Sequence, residues 1–398
     1  MAFVRFLLLR GAASFVFVMA AACTDGADDA TVLGHCSAPS SDVPQFTLER
    51  EWEIGGVHDE ELELTHLSSA APAPRTGLSF VQREQAPVTT LNADGTLRHR
   101  VGRAGSGPGE WSPMLPPGIQ WFADTLIVVD RARIHRFRED PDGQVEHLDT
   151  QRVEPPFDQP LVPLHVLRNG AVVGTLPPRV QNGGRRLVHW RKGSVDTDSV
   201  SAYLDGATYR LDLPGGGFSS VRKPILDYSR RSVVPNGRFM VILDRATVLA
   251  ADSGEYRIKK LLDDGQVSWE RTVCYRPRAI PEAERNDTIR AQAQRLAEPR
   301  PGAPVGEMEQ RIREALELPE AWPPVTAVVT STNGDIWLRR EERASATPWE
   351  IRDEDGDLVG FVRIPSDARV LAVDQDVVWL GRTDEWDVPR ISRHRLAS

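Results

Sequence analysis

From Phe46 to the C-terminus, short runs of aliphatic and aromatic residues alternate with turn residues. Examples of such runs are Thr125–Asp130 (TLIVVD), Arg238–Leu243 (RFMVIL) and Leu358–Ile364 (LVGFVRI). Runs of about four to eight such residues, bounded by Gly, Asn, Asp or Pro, predict β-strands. The pattern therefore predicts an all-β fold class.

Asn-Gly and Asp-Gly pairs recur between the predicted strands. Both positions of such a pair tolerate positive φ, so the pair closes a two-residue hairpin between antiparallel strands. The pairs are Asp94-Gly95, Asp142-Gly143, Asn169-Gly170, Asn236-Gly237, Asp264-Gly265, Asn333-Gly334 and Asp355-Gly356.

The order of these turns indicates a structural repeat. An Asn-Gly turn is twice followed by two strands and an Asp-Gly turn, and a period in the fifties is typical of a four-stranded propeller blade. About six such units fit after Phe46, so we predict a six-bladed β-propeller of four-stranded antiparallel blades. The last unit, 366–398, lacks one strand. We expect Phe46–Ile54 to supply that strand and so close the ring.

Residues 281–318 interrupt the β pattern with a predicted helical insertion between two blades. Apolar positions recur at helical spacing in both halves of the segment, and Glu307–Arg311 and Glu309–Arg313 are predicted i,i+4 ion pairs. Two roles stay open for the insertion. It either caps a mouth of the propeller or docks a partner helix, or it is a long crossover that folds its apolar stripe against a blade. The stripe comprises Ile289, Ala293, Leu296, Met308, Ile312, Ala315 and Leu316.

Residues 102–137 contain the most specific motif of the chain. The motif consists of Gly105-Ser106-Gly107-Pro108-Gly109-Glu110-Trp111, Pro117-Gly118-Ile119, Leu126–Asp130, Arg133-Ile134 and Phe137. It resembles the NHL-type repeat of six-bladed β-propellers, particularly those exported by bacteria. The resemblance implies the fold, whereas function does not follow, because this architecture hosts both binding modules and enzymes.

Within this motif, Gly105, Gly107 and Gly109 are interpreted as crossover residues between blades. A phosphate-binding loop is disfavoured, because Pro108 removes an amide donor and no lysine is near. For Asp130 and Arg133 a structural hydrogen bond or ion pair between adjacent blades is favoured over a contact with a ligand.

The first residues predict export. Arg5 and Arg10 precede an apolar stretch and small residues up to Cys23, so residues 1–22 resemble a lipoprotein signal peptide with Cys23 as the lipidation site. The alternative is an A-x-A site for ordinary secretion. Residues 23–45 then form a flexible tether and residues 46–398 the propeller. We expect a periplasmic or outer-membrane-associated lipoprotein, or otherwise a secreted protein.

The two remaining cysteines, Cys36 and Cys274, are candidates for a disulfide in an oxidising compartment. The alternative is a pair of free thiols, because sequence alone does not supply the Cα separation that a disulfide requires. A metal site built from these cysteines is disfavoured, since no C-x-x-C spacing occurs.

The net charge of the chain limits the classes of partner that it is expected to bind. The chain has 398 residues with 48 Lys+Arg and 57 Asp+Glu, hence a formal net charge of −9. Removal of residues 1–22 deletes Arg5 and Arg10 and no acidic residue, which gives −9 − 2 = −11. Such a charge disfavours nucleic acid as a partner and leaves the lipid anchor as the only membrane contact.

No catalytic motif is present: the chain contains neither G-x-S-x-G nor H-E-x-x-H, and its nine histidines are scattered. No catalytic residue and no cofactor are therefore assigned. The first hypothesis is a non-catalytic binding or scaffolding module for a protein or small-molecule ligand. The second is a propeller hydrolase or lyase, similar to lactonases and lyases of this fold, with calcium or another divalent metal in the central channel.

Overall fold

Strands make up most of the computed structural model, and the prediction of an all-β chain is confirmed. The structure describes residues 43–56, 62–82, 85, 87–111, 117–130, 133–154, 162–176, 185–190, 203–204, 208–212, 218–222, 230–233, 237–244, 255–275, 278–298, 304–316, 321–340 and 346–398.

Most strands belong to four-stranded antiparallel arrays in which each strand pairs with the next along the chain. Sheet 1 contains β2 (Leu67–Ala73), β3 (Gly77–Gln82), β4 (Val88–Leu91) and β5 (Leu97–Val101). Two short strands follow, β6 (Arg103–Ala104) and β7 (Glu110–Trp111). Sheet 2 contains β8 (Gly118–Phe122), β9 (Thr125–Asp130), β10 (Arg133–Glu139) and β11 (Val145–Arg152). Sheet 3 contains β12 (Val162–Val166), β13 (Val172–Leu176), β14 (Arg185–Trp190) and β15 (Tyr203–Leu204).

The second half of the chain repeats this arrangement after a hairpin of β16 (Thr208–Asp212) and β17 (Phe218–Arg222). Sheet 4 contains β18 (Arg230–Val233), β19 (Phe239–Asp244), β20 (Glu255–Leu262) and β21 (Val267–Cys274). Sheet 5 contains β22 (Val325–Thr330), β23 (Ile336–Arg340), β24 (Ala346–Arg352) and β25 (Leu358–Pro365). Sheet 6 contains β26 (Arg369–Asp374), β27 (Val377–Thr383), β28 (Pro389–Ala397) and the N-terminal β1 (Gln45–Gly55).

Strand β1 completes sheet 6, as the sequence predicted. It pairs antiparallel with β28 from Thr47 opposite Ala397 to Gly55 opposite Arg390, and it touches β25 of sheet 5 over two residues. Ion pairs reinforce the contact between the two ends of the described chain, since Glu53 lies 3.2 Å from Arg382 and 3.3 Å from Arg390. The last sheet is thus made of strands from both ends of the sequence.

Apolar clusters lie between consecutive sheets, and the series returns to its start. Leu126 and Val128 of β9 face sheet 1, whereas Ile127 and Val129 face sheet 3, because successive side chains of a strand point to opposite faces. Further clusters join sheets 3 and 4, 4 and 5, and 5 and 6. A sixth cluster joins sheet 6 to sheet 1 through residues such as Trp379 and Phe80.

The turn positions follow from the alternation of strand direction. Connections between first and second strands and between third and fourth strands lie at one end of each sheet, here called the turn end. The Asx-Gly turns at Gly95, Gly143, Gly170, Gly265 and Gly356 are of these two kinds. Connections between second and third strands, and the crossovers to the next sheet, lie at the other end, here called the crossover end.

Indole groups of outer strands hold two of these turns against the neighbouring sheet. Trp52 of β1 donates from Nε1 to the Ala93 carbonyl oxygen at 2.7 Å, and Trp269 of β21 donates to the Glu354 carbonyl oxygen at 3.0 Å. Each ring also lies over the glycine of the turn that it contacts, Gly95 and Gly356 respectively. The absence of a side chain at these glycines is therefore required both by positive φ and by the ring above.

The helical insertion is the crossover from sheet 4 to sheet 5. Helix α1 spans Glu282–Ala297 and helix α2 spans Val305–Ala315. The helical pattern predicts that the second helix reaches residue 318. In the structure α2 ends at Ala315, because Leu316 already has extended backbone (φ −116°, ψ 107°). The apolar stripe is buried against Leu211 of β16, so part of the chain itself covers it.

One predicted ion pair of the insertion forms and the other is replaced. Arg311 Nη2 lies 2.9 Å from Glu307 Oε1, as predicted. Glu309, however, lies 3.8 Å from Arg290 of α1, and Arg313 donates to Asn286 of α1 at 2.7 Å. The prediction of a Glu309–Arg313 pair was wrong because both side chains face the neighbouring helix, which the single-helix pattern does not contain. Among the described helices, none is long and apolar enough to cross a membrane.

Replacement of Gly356 by Ala is expected to destabilise the protein more than replacement of Gly143 by Ala. Both glycines occupy Asp-Gly turns with nearly equal φ, +85° and +83°, so both substitutions cost about 1 kcal/mol or more of backbone strain. A Cβ at Gly356 would also lie 2.8 Å from the Trp269 ring, whereas nothing lies within 4 Å of a Cβ at Gly143. Overpacking adds about 1–3 kcal/mol. Urea unfolding of both variants measures the difference, and equal losses would contradict a confined ring at Trp269.

Candidate functional site

A cavity of about 410 Å³ lies where the first strands of five sheets meet. Strands β2, β8, β12, β22 and β26 form its wall, and β23 and β24 each contribute one residue. The described lining consists of Ser68, Ser69, Ala70, Ala71, Pro72, Gly118, Ile119, Gln120, His165, Ala327, Val328, Val329, Thr330, Arg339, Trp349, Arg369, Val370, Leu371, Ala372 and Val373. A volume of this size suits a small molecule.

The backbone of these first strands is a source of hydrogen-bonding groups for the cavity. Each first strand lies at the edge of its sheet. About half of the N–H and C=O groups of an edge strand have no partner in the ladder. Buried backbone groups of this kind must find side chains, water or a ligand.

Three side chains supply such partners, each reaching from one first strand to the backbone of the next sheet. Arg369 of β26 donates to the carbonyl oxygens of Leu67 and Ser68 at 3.3 and 3.5 Å. Ser69 of β2 donates from Oγ to the Pro117 carbonyl oxygen at 2.8 Å, next to the start of β8. The side chains thus join sheet 6 to sheet 1 and sheet 1 to sheet 2.

Gln120 makes the third and most complete of these contacts. Its Nε2 donates to the Val166 carbonyl oxygen at 2.6 Å, and the Val166 amide donates to Gln120 Oε1 at 3.0 Å. The side-chain amide therefore reproduces both hydrogen bonds of a ladder rung between sheets 2 and 3. Gln120 is buried, so water does not replace these bonds when they are lost.

The described lining does not fit the channel metal of the second hypothesis. Calcium and magnesium prefer carboxylate oxygens, and zinc prefers imidazole or thiolate groups. The lining residues include no Asp or Glu, and within the described ranges no three His, Cys, Asp or Glu side chains are grouped as metal ligands are. His165 is the only imidazole in that lining.

The glycine-rich motif lies in the crossover from sheet 1 to sheet 2 and surrounds a carboxylate of its own. The Gly107 amide donates to Glu110 Oε2 at 2.9 Å, and Arg103 Nε donates to Glu110 Oε1 at 2.6 Å. These two contacts lower the pKa of Glu110, that of Gly107 more strongly. A Cβ at Gly105 would overlap this carboxylate, and Gly109 has a positive φ of +70°.

Asp130 and Arg133 form an ion pair within one hairpin, that of β9 and β10. Arg133 Nη2 donates to Asp130 Oδ2 at 2.7 Å, and Nη1 donates to the Ser106 carbonyl oxygen at 2.8 Å. The pair thus fastens the glycine-rich crossover to sheet 2. Neither residue lines the described cavity.

His135, beside this motif, is buried and neutral. Its Nδ1 lies 2.9 Å from Thr150 Oγ1, and its ring lies 5.6 Å from that of Trp111. Burial, aided by the positive charge of Arg133, lowers the pKa of His135 from 6.5 to about 4. The neighbouring charge of Asp130 opposes this shift and His147 supports it.

Of the predicted cysteine sites, Cys23 and Cys36 lie outside the described residues. Cys274 ends β21, where its backbone is in register with Glu255. The proposed lipidation and the proposed disulfide therefore stay predictions.

Comparisons with known proteins find similar structures only. No family model and no curated protein matches the chain. A member of the DUF4221 family from Bacteroides vulgatus is 10% identical with a TM-score of 0.44, covering 88% of this chain and 98% of that one. Virginiamycin B lyase from Staphylococcus aureus is 10% identical with a TM-score of 0.38, covering 88% and 99%. The evidence for the architecture is the strand pairing of this chain.

Replacement of Gln120 by Leu is expected to lower the free energy of unfolding by about 1–3 kcal/mol, because the buried Val166 N–H and C=O lose their partners. Urea unfolding measures this loss. Gln144→Leu is the matched control, since Gln144 is exposed and lies in a turn. A loss no greater than that of the control would contradict the role assigned to Gln120.

Stability is expected to fall as the pH is lowered from about 6.5 towards 4, with His135 as one cause. The imidazole of the unfolded chain takes up a proton near pH 6.5, whereas in the folded state it does so only near pH 4. Protonation therefore favours the unfolded chain in this range. Chemical unfolding at several pH values should show a shallower decline for His135→Phe than for the wild type. Identical slopes would contradict a neutral, buried His135.

Proposed function

We propose that the protein is a non-catalytic binding or scaffolding module of the bacterial cell envelope, anchored by lipid at Cys23. Its six sheets are the blades of a six-bladed β-propeller, and the cavity between their first strands holds a small ligand. The closed series of apolar clusters between sheets supports the propeller. The single observation that carries the binding role is the convergence of the free strand edges on one cavity.

The state of the polar lining groups favours binding over catalysis. The side chains of Ser68, Ser69 and Gln120 all bond to backbone groups. A nucleophile needs a neighbouring group that activates it, and a general base needs a substrate proton within hydrogen-bond distance. These three groups instead hold strands together, and in that arrangement they present a fixed wall to a ligand.

The alternative function is a propeller hydrolase or lyase with a divalent metal in the channel. The observation in its favour is His165, which lies in the cavity wall on β12.

The proposed anchor is supported by the sequence of residues 1–23. The predicted tether, 23–45, ends where the first strand begins, since β1 starts at Gln45. In sequence, the residues of this tether therefore separate a lipid on Cys23 from sheet 6.

Intact mass spectrometry of the full chain, expressed in a bacterial host and extracted from membranes, tests the anchor. We expect a diacylglycerol-bearing chain that begins at Cys23, and no lipid on the Cys23→Ala variant. An unmodified wild-type chain would contradict the anchor and favour the secreted form.

Native mass spectrometry of the same preparation tests the binding role. We expect one small molecule per chain in the wild type and in Ala346→Phe, and its loss in Ala327→Phe. Both alanines are half-buried, but only Ala327 lines the cavity. A stoichiometric metal in place of the organic molecule would favour the enzyme alternative.

A further inference from the structure

We propose that the central cavity binds an organic anion, with its carboxylate or phosphate group between Arg339 and Arg369 and its apolar body inside the cavity. The inference rests on the proposed function in one respect, namely that the cavity is a binding site. It adds the chemical class of the ligand and the two residues that select it.

Both arginines lie at the crossover end of the cavity. Arg369 begins β26, and Arg339 is near the end of β23, which runs from the turn end towards the crossover end. Arg339 Nη2 lies 3.5 Å from the Ser366 carbonyl oxygen in the short crossover that leads directly to Arg369. The two guanidinium groups therefore belong to the same mouth of the cavity.

The charge of these two arginines is not neutralised within the described residues. Their partners there are carbonyl oxygens, at 3.3 to 3.5 Å, and no carboxylate oxygen of the described chain lies within 4.0 Å of either group. Asp367 lines a neighbouring cavity together with Arg369, but it forms no ion pair with it. Carbonyl oxygens accept hydrogen bonds but leave the positive charge in place.

Other arginines of the sheets, in contrast to Arg339 and Arg369, form ion pairs with carboxylates. Arg133 lies 2.7 Å from Asp130, and Arg340, next to Arg339 in sequence, lies 3.1 Å from Glu350. In a chain with a net charge of −9, two guanidinium groups without a carboxylate partner among the described residues form a local positive field at one cavity mouth. A planar guanidinium group donates two parallel hydrogen bonds to a carboxylate or a phosphate. Arginine side chains at the cavity mouth therefore favour an anionic ligand over a neutral one.

The rest of the lining defines the body of the ligand. The cavity wall also includes the apolar residues Ile119, Val328, Val370, Leu371 and Trp349. The hydroxyl groups of Ser68 and Ser69 are bonded to backbone carbonyl oxygens of Val81 and Pro117. An anion with an apolar body of a few carbon atoms or one to two rings matches both the 410 Å³ volume and this wall.

Isothermal titration calorimetry with three related probes tests the proposal: 2-naphthoate, 2-naphthyl phosphate and the neutral 2-naphthamide. We expect the wild type to bind at least one anionic probe about tenfold more tightly than the amide, with a preference that decreases as salt is added. Arg339→Gln and Arg369→Gln should each weaken binding of that anion about tenfold and leave binding of the amide unchanged. Arg138→Gln is the matched control, because Arg138 is exposed and is not among the residues that line the cavity. The relative affinities for the carboxylate and the phosphate identify which head group the mouth prefers.

Two further outcomes separate this inference from the proposed function. Equal affinity for the anions and the amide, unaffected by the arginine variants but lost in Ala327→Phe, would overturn the anion selectivity and leave a binding cavity. No binding of any probe would overturn the anion inference, and an unliganded wild type in native mass spectrometry would overturn the binding role as well. Circular dichroism of Arg369→Gln shows whether this variant is folded. Arg339 contacts a single carbonyl oxygen, so Arg339→Gln tests anion binding with less effect on the contacts between sheets.

Discussion

The free edges of the first strands are the constraint on which the rest of the structure depends. Each four-stranded sheet has an inner edge whose backbone groups have no further strand to pair with. In an isolated sheet such an edge attracts another chain. Here the inner edges of five sheets line one cavity, and side chains from the neighbouring sheet supply partners for some of their backbone groups. Gln120 does so for both backbone groups of Val166.

The outer parts of the sheets are held by a different device. Trp52 and Trp269 are both on outermost strands, and each reaches the turn between the third and fourth strands of the next sheet. The indole covers the glycine of that turn and donates one hydrogen bond to its backbone. Sheets 6 and 1 are thus joined by Arg369 near the cavity and by Trp52 at the periphery, and an apolar cluster lies between the same two sheets.

Most of the fold was predictable because its signals are local. An Asp-Gly pair and the strands on either side of it lie within about twenty residues, so turn chemistry and strand composition indicate the hairpins directly. The strand that completes the last sheet was predictable because the last repeat, 366–398, has one strand fewer than the others and Phe46–Ile54 lies before the first repeat. The site was not predictable in this way, since Gln120 and Val166 are 46 residues apart and Arg369 and Leu67 are 302 apart. The glycine-rich crossover carries the most specific motif of the sequence. In the structure this crossover surrounds the carboxylate of its own residue Glu110.

The contacts around the cavity differ in strength, and that difference separates structural from binding roles. Gln120 makes two bonds of 2.6 and 3.0 Å to one residue and is buried, so its orientation is fixed. Arg369 is exposed, and its bonds to two carbonyl oxygens are 3.3 and 3.5 Å long, near the limit at which hydrogen bonds contribute. A carboxylate or phosphate would offer Arg369 shorter, charge-assisted bonds at little cost to the sheet contacts. Arg369 holds the neighbouring sheet more loosely than Gln120 does, and it is therefore better able to turn towards a ligand.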